Sequence, residues 1–384
     1  MVRSGSIRIG RIAGIAVGVH WSFALVLSWG AWQGWVASGG LSGAALGTLA
    51  VSLLFGAVLL HELGHALTAR GFGLAVRQVT LLPIGGMAEL ETTPNQPIQE
   101  LSIALAGPMV NLALAIGLAA IGWLMDPLLL SDWRSNLMMM APRGSLALVY
   151  YLLWANGILF FFNMLPAFPM DGGRVVRSAL AVWLDYEVST RVAAWLGRLM
   201  AVVIALIGVA GYVMPRFTPN PLFLVVGIVV YFGASHEERS VRRRRALVRL
   251  EAKDIDWTIP EIIAPAQPLT RGLVARLMRD DLTLPVVRED GALAGLLTYR
   301  DIQQVSRHGV PPTAAHAMRS DFPIIAPHDT LWVALREMTT YQLDTLPVLQ
   351  QGRLLGLITL DDIDRAWKTK LRRHRERRPR SQEI

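Results

Sequence analysis

Leu59-Leu60-His61-Glu62-Leu63-Gly64-His65-Ala66-Leu67 closes an apolar run that begins at Ala45. On a helix, residues four apart share a face. Two imidazoles on that face can bind one zinc ion, and the adjoining Glu62 can take a proton from water at the metal. Charged and imidazole groups deep in an apolar segment are expensive and usually functional. The alternative reading is a polar cluster that joins helices.

Working outward, five more apolar segments stand out: Ile15–Val36, Ile98–Leu124, Leu146–Leu165, Val192–Val213 and Leu222–Phe232. Each approaches the roughly 20 residues that cross a hydrocarbon core, the last only with help from its flanks. Of the 384 residues, 53% are apolar and 17% charged. A soluble chain carries about a quarter charged residues, so a disordered chain is excluded and a wholly soluble enzyme is not expected. Residues 1–235 hold 12 Lys+Arg and 9 Asp+Glu, whereas residues 236–384 hold 25 and 20. The first part reads as membrane-embedded and the second as soluble. No nucleic-acid partner is expected from the net charge of +8, because the densest basic run, Arg242–Arg245, abuts the last apolar segment. That run reads as an anchor to anionic lipid.

Orientation follows from Lys and Arg in the short loops. Arg3, Arg8, Arg11, Arg70, Arg77, Arg174, Arg177, Arg191 and Arg242–Arg245 fall on one side; Arg134, Arg143 and Arg216 fall on the other. Six spans then place both termini in the cytoplasm of a multi-pass plasma-membrane protein. The segment Phe72–Pro97 alternates apolar and polar residues before Pro83-Ile84-Gly85-Gly86, as short strands with a Gly-Gly turn would. Bare strand edges do not survive in lipid, so this hairpin is expected against protein or at the surface.

The chain has no cysteine, which excludes disulfides, thiolate catalysis and Cys-ligated zinc. Catalytic zinc commonly takes three protein ligands and keeps one position open. The expected third ligand is Asp171, in Asn163-Met164-Leu165-Pro166-Ala167-Phe168-Pro169-Met170-Asp171-Gly172-Gly173. Two prolines break the helix there, and irregular backbone at membrane depth must line a cavity. Taken alone, Asp171 would read as a helix N-cap. Asn111 and Asn163 are amides in apolar surroundings. They either hydrogen-bond an extended substrate or join helices.

The soluble part repeats itself. Leu284-Pro285-Val286-Val287, Gly291 and Leu293–Ile302 recur as Leu346-Pro347-Val348-Leu349, Gly352 and Leu354–Ile363. Each copy reads as strand, turn, strand, helix, preceded by an amphipathic helix. Such copies bury a shared core. The reading divides the chain into a membrane domain (1–235), a basic linker (236–256), two repeats (257–310 and 311–368) and a basic, disordered tail (369–384).

His61-Glu62-x-x-His65, with Asn163-x-x-Pro166-x-x-Pro169-x-Asp171-Gly172, resembles the site-2 protease family of intramembrane metalloproteases. Gly14-Ile15, His20-Trp21-Ser22-Phe23, Gly85-Gly86 and Ala106-Gly107-Pro108-x-x-Asn111 are also similar to that family. The repeat resembles a pair of cystathionine-β-synthase-type (CBS) domains, which one branch of the family carries. The resemblance implies a polytopic α-helical membrane protein of about six transmembrane helices with a small membrane-associated β-hairpin, plus a soluble α/β CBS pair. It implies hydrolysis of peptide bonds in or near the transmembrane segment of membrane-protein substrates in the lipid bilayer. One zinc per chain would sit on His61, His65 and Asp171, with Glu62 as base. Gly85 and Gly86 would receive an unwound substrate by strand addition. Thr298, Asp301, Thr359 and Asp362 are similar to CBS positions that contact an adenine nucleotide; the other reading of the aspartates is as helix N-caps. CBS pairs often associate face to face, which gives a homodimer as an expectation. The rivals are a CBS-regulated transporter or channel, which leaves the zinc motif unexplained, and an inactive scaffold, which has no need of Glu62.

Overall fold

The computed structural model describes residues 5–83, 85–90, 94, 96–125, 144–213, 220–258, 260–280, 282–305 and 313–376. Arg3, Arg134, Arg143 and Arg216 of the orientation argument lie outside them. The chain divides into two compact units, Met1–Arg239 and Ser240–Ile384.

The first unit opens with strands β1 (Ser6–Ile12) and β2 (Ile15–His20). Helices α1 (Phe23–Ser38) and α2 (Gly40–Gly71) follow. The expected span Ile15–Val36 is thus corrected: its first six residues are strand. Ala13 and Gly14, both at positive φ, turn the chain back, and β2 then pairs with β1 and lies parallel to β3 (Val76–Leu82). β3 pairs antiparallel with β4 (Gly85–Leu90), giving a four-stranded sheet in the order β1-β2-β3-β4. The hairpin turns at Pro83, and Gly85 and Gly86 belong to β4 rather than to the turn. Ile15 and Val79 bury themselves against Leu63 and Ala66, so the sheet packs on the stretch of α2 that carries the histidines.

Helix α3 (Pro97–Met125) packs beside α2, and α4 (Gly144–Asn163) beside α3. Short α5 (Asp171–Leu180) then leads to α6 (Tyr186–Val213) and α7 (Pro221–Val248). Among the described residues, five helices (α2, α3, α4, α6 and α7) are long and apolar enough to cross a membrane. The shorter α1 packs along α2 through glycines. A Cβ at Gly34 would strike the Gly43 carbonyl, and one at Gly47 the Gly30 carbonyl, so the two backbones touch.

In the second unit, β5 (Leu284–Val287) pairs with β6 (Leu293–Leu297), and β7 (Thr345–Gln350) with β8 (Arg353–Thr359). Helices α8 (Arg271–Asp280) and α9 (Tyr299–Val305) flank the first pair, with short α10 (Ala314–Ala317) after them. Helices α11 (Leu331–Tyr341) and α12 (Leu360–Glu376) flank the second. Equivalent apolar residues fill two cores, Leu284, Val286 and Leu297 in one and Leu346, Val348 and Ile358 in the other.

Three expectations are corrected here. The basic run Arg242–Arg245 lies inside α7, where Arg243 pairs with Asp364 at 2.6 Å and Arg244 stacks over Trp332. These side chains hold protein rather than serving only as a lipid anchor. The expected linker joins the same packing, since Leu247 and Ala252 sit fully buried in the second-repeat core. The expected tail begins as helix, because α12 continues to Glu376; residues 377–384 lie outside the described set.

Candidate metal centre

His61 and His65 stand one turn apart on α2, both buried, with rings at 85° to each other. Their Nε2 atoms are 3.1 Å apart. Asp171 brings its Oδ2 to 3.1 Å from His65 Nε2 and 3.3 Å from His61 Nε2. The two helices that meet here lie far apart in sequence, and the break between α4 and α5 makes the meeting possible. After Asn163 the chain runs through Pro166 and Pro169, with Ala167, Phe168 and Met170 buried among α6 and α7. A Cβ on Gly172 would overlap the carbonyls of Met164 and Leu165, so only glycine lets the first turn of α5 press this close. Met170 is the N-cap of α5 and makes no side-chain cap bond. Asp171 is therefore not the cap; its carboxylate faces the imidazoles.

The donor set suits zinc. Two imidazole nitrogens and one carboxylate oxygen converge within 4.8 Å, the three-ligand complement that leaves a fourth position for water or substrate. Space is kept by Gly107 on α3, where a Cβ would overlap His65 Nε2 and lie 2.8 Å from His61 Nε2. The outer ring atoms are also fixed. His65 Nδ1 lies 2.6 Å from the Ile103 carbonyl oxygen, and His61 Nδ1 lies 2.5 Å from Asn111 Oδ1. Ligating histidines are commonly held this way, which orients the ring and raises its basicity.

Glu62 points from the same turn of α2 toward the sheet. A Cβ on Gly86 would overlap the Glu62 side chain and lie 3.0 Å from its Oε1, so β4 and Glu62 are in direct apposition. Among the described residues β4 is an edge strand of that sheet.

A buried ion-pair cluster braces the carboxylate side. Arg177, six residues along α5 from Asp171, donates from Nε to Glu100 of α3 at 2.9 Å. Its Nη1 donates to Glu237 of α7 at 2.5 Å, and a second bond reaches Glu100. The guanidinium also lies over Phe168 and Tyr186. Burial works hardest against the Arg177 charge, but Glu100, Tyr186 and Glu237 together outweigh it and leave the guanidinium pKa raised.

His61, His65, Glu62 and Asp171, expected at one site, are thus brought together, with Gly86 beside them. Of the two readings of Asn111, the contacts favour the one that joins helices: its side chain is fully buried between His61 and Asn156, with one bond at each end of the amide. Asn163 ends α4 half-buried, just before the break. Asn156, the Ile103 carbonyl and the Arg177 cluster add to the residues that the sequence points to. An amide within the apolar run Leu146–Leu165, which also holds Asn163, is the available signal for Asn156; nothing in the sequence marks a backbone carbonyl such as that of Ile103.

In the repeats, Thr298 and Asp301 form a capping box. Asp301 Oδ2 accepts from the Thr298 backbone N–H and hydroxyl at 3.1 and 2.6 Å, and the Asp301 N–H donates back to Thr298 Oγ1 at 3.3 Å. Thr359 and Asp362 repeat the arrangement at 2.9, 2.7 and 3.2 Å. The caps are the threonines, and the aspartates answer from the first turn, a correction to the reading of the aspartates as caps. Arg319 and Arg365 occupy the other carboxylate oxygens. Asp362 and Arg365 nonetheless border an open cleft of about 710 Å³, with Asp254, Asp256, Trp257, Thr258 and Lys370.

A model of peptidase family M50 matches residues 49–207, and a CBS domain model matches residues 256–308 and 314–368. Zinc metalloprotease MJ0392 of Methanocaldococcus jannaschii is 32% identical over 365 residues, spanning 94% of this chain and 96% of that protein. Rip3 of Mycobacterium tuberculosis is 28% identical over 376 residues, spanning 94% and 92%. The solved site-2 protease from M. jannaschii superposes with a TM-score of 0.41 at 32% identity, covering 61% of this chain and 95% of that one.

Proposed function

The chain belongs to peptidase family M50, the site-2 proteases, and from that premise we propose how its residues divide the work of an intramembrane zinc metalloprotease. His61, His65 and Asp171 hold the metal, and the convergence of their donor atoms is the observation that carries this reading. Zinc, when bound, polarises the scissile carbonyl and acidifies a water. Glu62 accepts that water's proton on its carboxylate and returns it to the nitrogen of the leaving amine. The substrate is a membrane protein whose transmembrane helix has locally unwound, because a helix hides its peptide bonds in its own hydrogen bonds. The unwound stretch adds to the free edge of β4, and Gly86 lets it lie close to Glu62. Asn163, at the end of α4, meets the same extended segment in this reading.

Zinc per chain in detergent-purified protein tests the ligand set. About one zinc is expected in the wild type, retained by Glu62→Gln with cleavage abolished, and lowered by Asp171→Ala. Full zinc in Asp171→Ala would remove Asp171 from the set. Helix-breaking residues in a substrate should raise cleavage; indifference to them would count against strand addition.

The CBS pair binds an adenine nucleotide in the cleft beside Asp362, with Trp257 offering a stacking face and Arg365 and Lys370 a charge for phosphate. Equilibrium binding of AMP and ATP to the full chain, with Asp362→Ala beside it, tests this; no saturable binding at millimolar nucleotide would sink it. The protein sits in the cell membrane with α1, antiparallel beside α2, as a sixth crossing that brings both termini to the cytoplasm, and the CBS pairs of two chains associate. Single engineered cysteines in this Cys-free chain report the side on which each terminus is labelled, and sedimentation in detergent reports the dimer.

A further inference from the structure

We propose that Asn111 and Asn156 form a two-amide relay, anchored on the carbonyl oxygen of Leu152, that fixes His61 as the tautomer protonated at Nδ1 and reserves its Nε2 lone pair for zinc. The inference rests on the ligand assignment above. An amide carries a donor end and an acceptor end of nearly equal shape, so its partners decide which way it points. A backbone carbonyl can only accept. Asn156 Nδ2 must therefore be the end that faces Leu152 O, at 2.8 Å. Its Oδ1 is left toward α3, where it accepts from Asn111 Nδ2 at 2.9 Å. The Asn111 Oδ1 is then the atom facing His61 Nδ1, at 2.5 Å. An acceptor there puts the proton on Nδ1 and leaves Nε2 unprotonated for the metal.

All three donors in the chain point away from the metal centre. A pair of asparagines that merely joined α3 to α4 would need contact but not this direction. Both side chains are essentially inaccessible, Asn111 at 0% and Asn156 at 1% exposure, so neither serves a substrate. His65 reaches the same tautomer by one bond, through Nδ1 to the Ile103 carbonyl oxygen at 2.6 Å. At His61 an adjustable amide stands where His65 has a fixed carbonyl, and Asn156 removes the adjustment. Asn156 is thus a positioning residue at two removes from the metal.

The test loads the detergent-purified full chain with Co²⁺ and reads its visible bands and its affinity by chelator competition. Asn111→Leu should weaken binding by about 10- to 100-fold, and Asn156→Leu by about tenfold with shifted bands, the scale seen when the partner of a ligating histidine is lost. Because Asn156 acts only through Asn111, the double variant should bind no more weakly than Asn111→Leu. As the neutral acid, Asn156→Asp keeps a donor for the Leu152 carbonyl oxygen and an acceptor for Asn111 Nδ2, and Asn111→Asp keeps a donor for Asn156 Oδ1 and an acceptor for His61 Nδ1, so both should recover affinity toward wild type. These aspartate variants decide the matter should a leucine variant fail to fold. Wild-type affinity and bands in Asn156→Leu would overturn the relay, as would losses that add in the double variant or a failure of both aspartates to restore binding. A wild type that takes up no cobalt would overturn the ligand assignment itself, and the relay with it.

Discussion

Asp171 and Asp362 both lie in the first turn of a helix, and both invite the same pair of readings, local cap or functional contact. They resolve differently. At the start of α5, the cap residue Met170 makes no side-chain bond and Asp171 sends its carboxylate across to His61 and His65 on another helix. At the start of α12, Asp362 is satisfied within its own turn by Thr359 and by Arg365. Asp301 does likewise with Thr298 and Arg319. A polar motif that closes on itself builds structure. One that leaves its lone pairs directed at a distant partner is available for chemistry. The cleft beside Asp362 stands between these cases, because a nucleotide there must compete with bonds already made.

The largest expected effect breaks the open motif without touching a ligand. Gly107→Ala places a methyl where the two Nε2 atoms converge, so zinc content should fall from about one per chain toward zero. Metal analysis of purified protein reads it, and full zinc in that variant would mean the metal lies elsewhere.

Next, Arg177→Met leaves Glu100 buried beside an uncharged side chain. Breaking one partner of a buried pair costs about 3–5 kcal/mol. The thermal transition of the membrane unit should fall. Zinc affinity should fall with it, because Arg177 ties the helix of Asp171 to α3 and α7. Unchanged melting would show the cluster to be as replaceable as a surface pair.

The closed motifs predict a smaller and purely structural loss. Asp301→Ala and Thr298→Val should each destabilise the second unit by about 0.5–2 kcal/mol, the usual cost of a lost cap. Zinc content should not change. Denaturant unfolding of the full chain, followed by the signal of the soluble unit, measures the first; metal analysis checks the second.

What could be read from the sequence follows the same division. His61, Glu62 and His65 are legible because the fourfold spacing on a helix is a local property. Asp171 is legible because Pro166, Pro169, Gly172 and Gly173 announce a broken segment. The partner of Asn111 is not legible, since it depends on how α2, α3 and α4 pack, and an apolar run gives no register for that packing. Ile15–His20 reads equally as helix or buried strand by hydropathy, and only pairing with β1 and β3 decides it. The run Arg242–Arg245 looks like an anchor at a membrane surface. Leu247, buried in the core of the second repeat, explains why the helix continues.

The smallest prediction is a control that sharpens all the others. Gly117 lies on α3 as Gly107 does, but a Cβ there meets nothing within 4 Å. Gly117→Ala should therefore leave zinc content and cobalt bands unchanged. It should hold or slightly raise the thermal transition, because alanine in place of an exposed helical glycine gains at most about 0.5–1 kcal/mol. The two substitutions add the same methyl to the same helix, so their difference isolates the space at the metal centre from the propensity of α3. Loss of zinc in both would mean that α3 tolerates no added side chain. The role given to Gly107 would then pass from the metal to the packing of the helix.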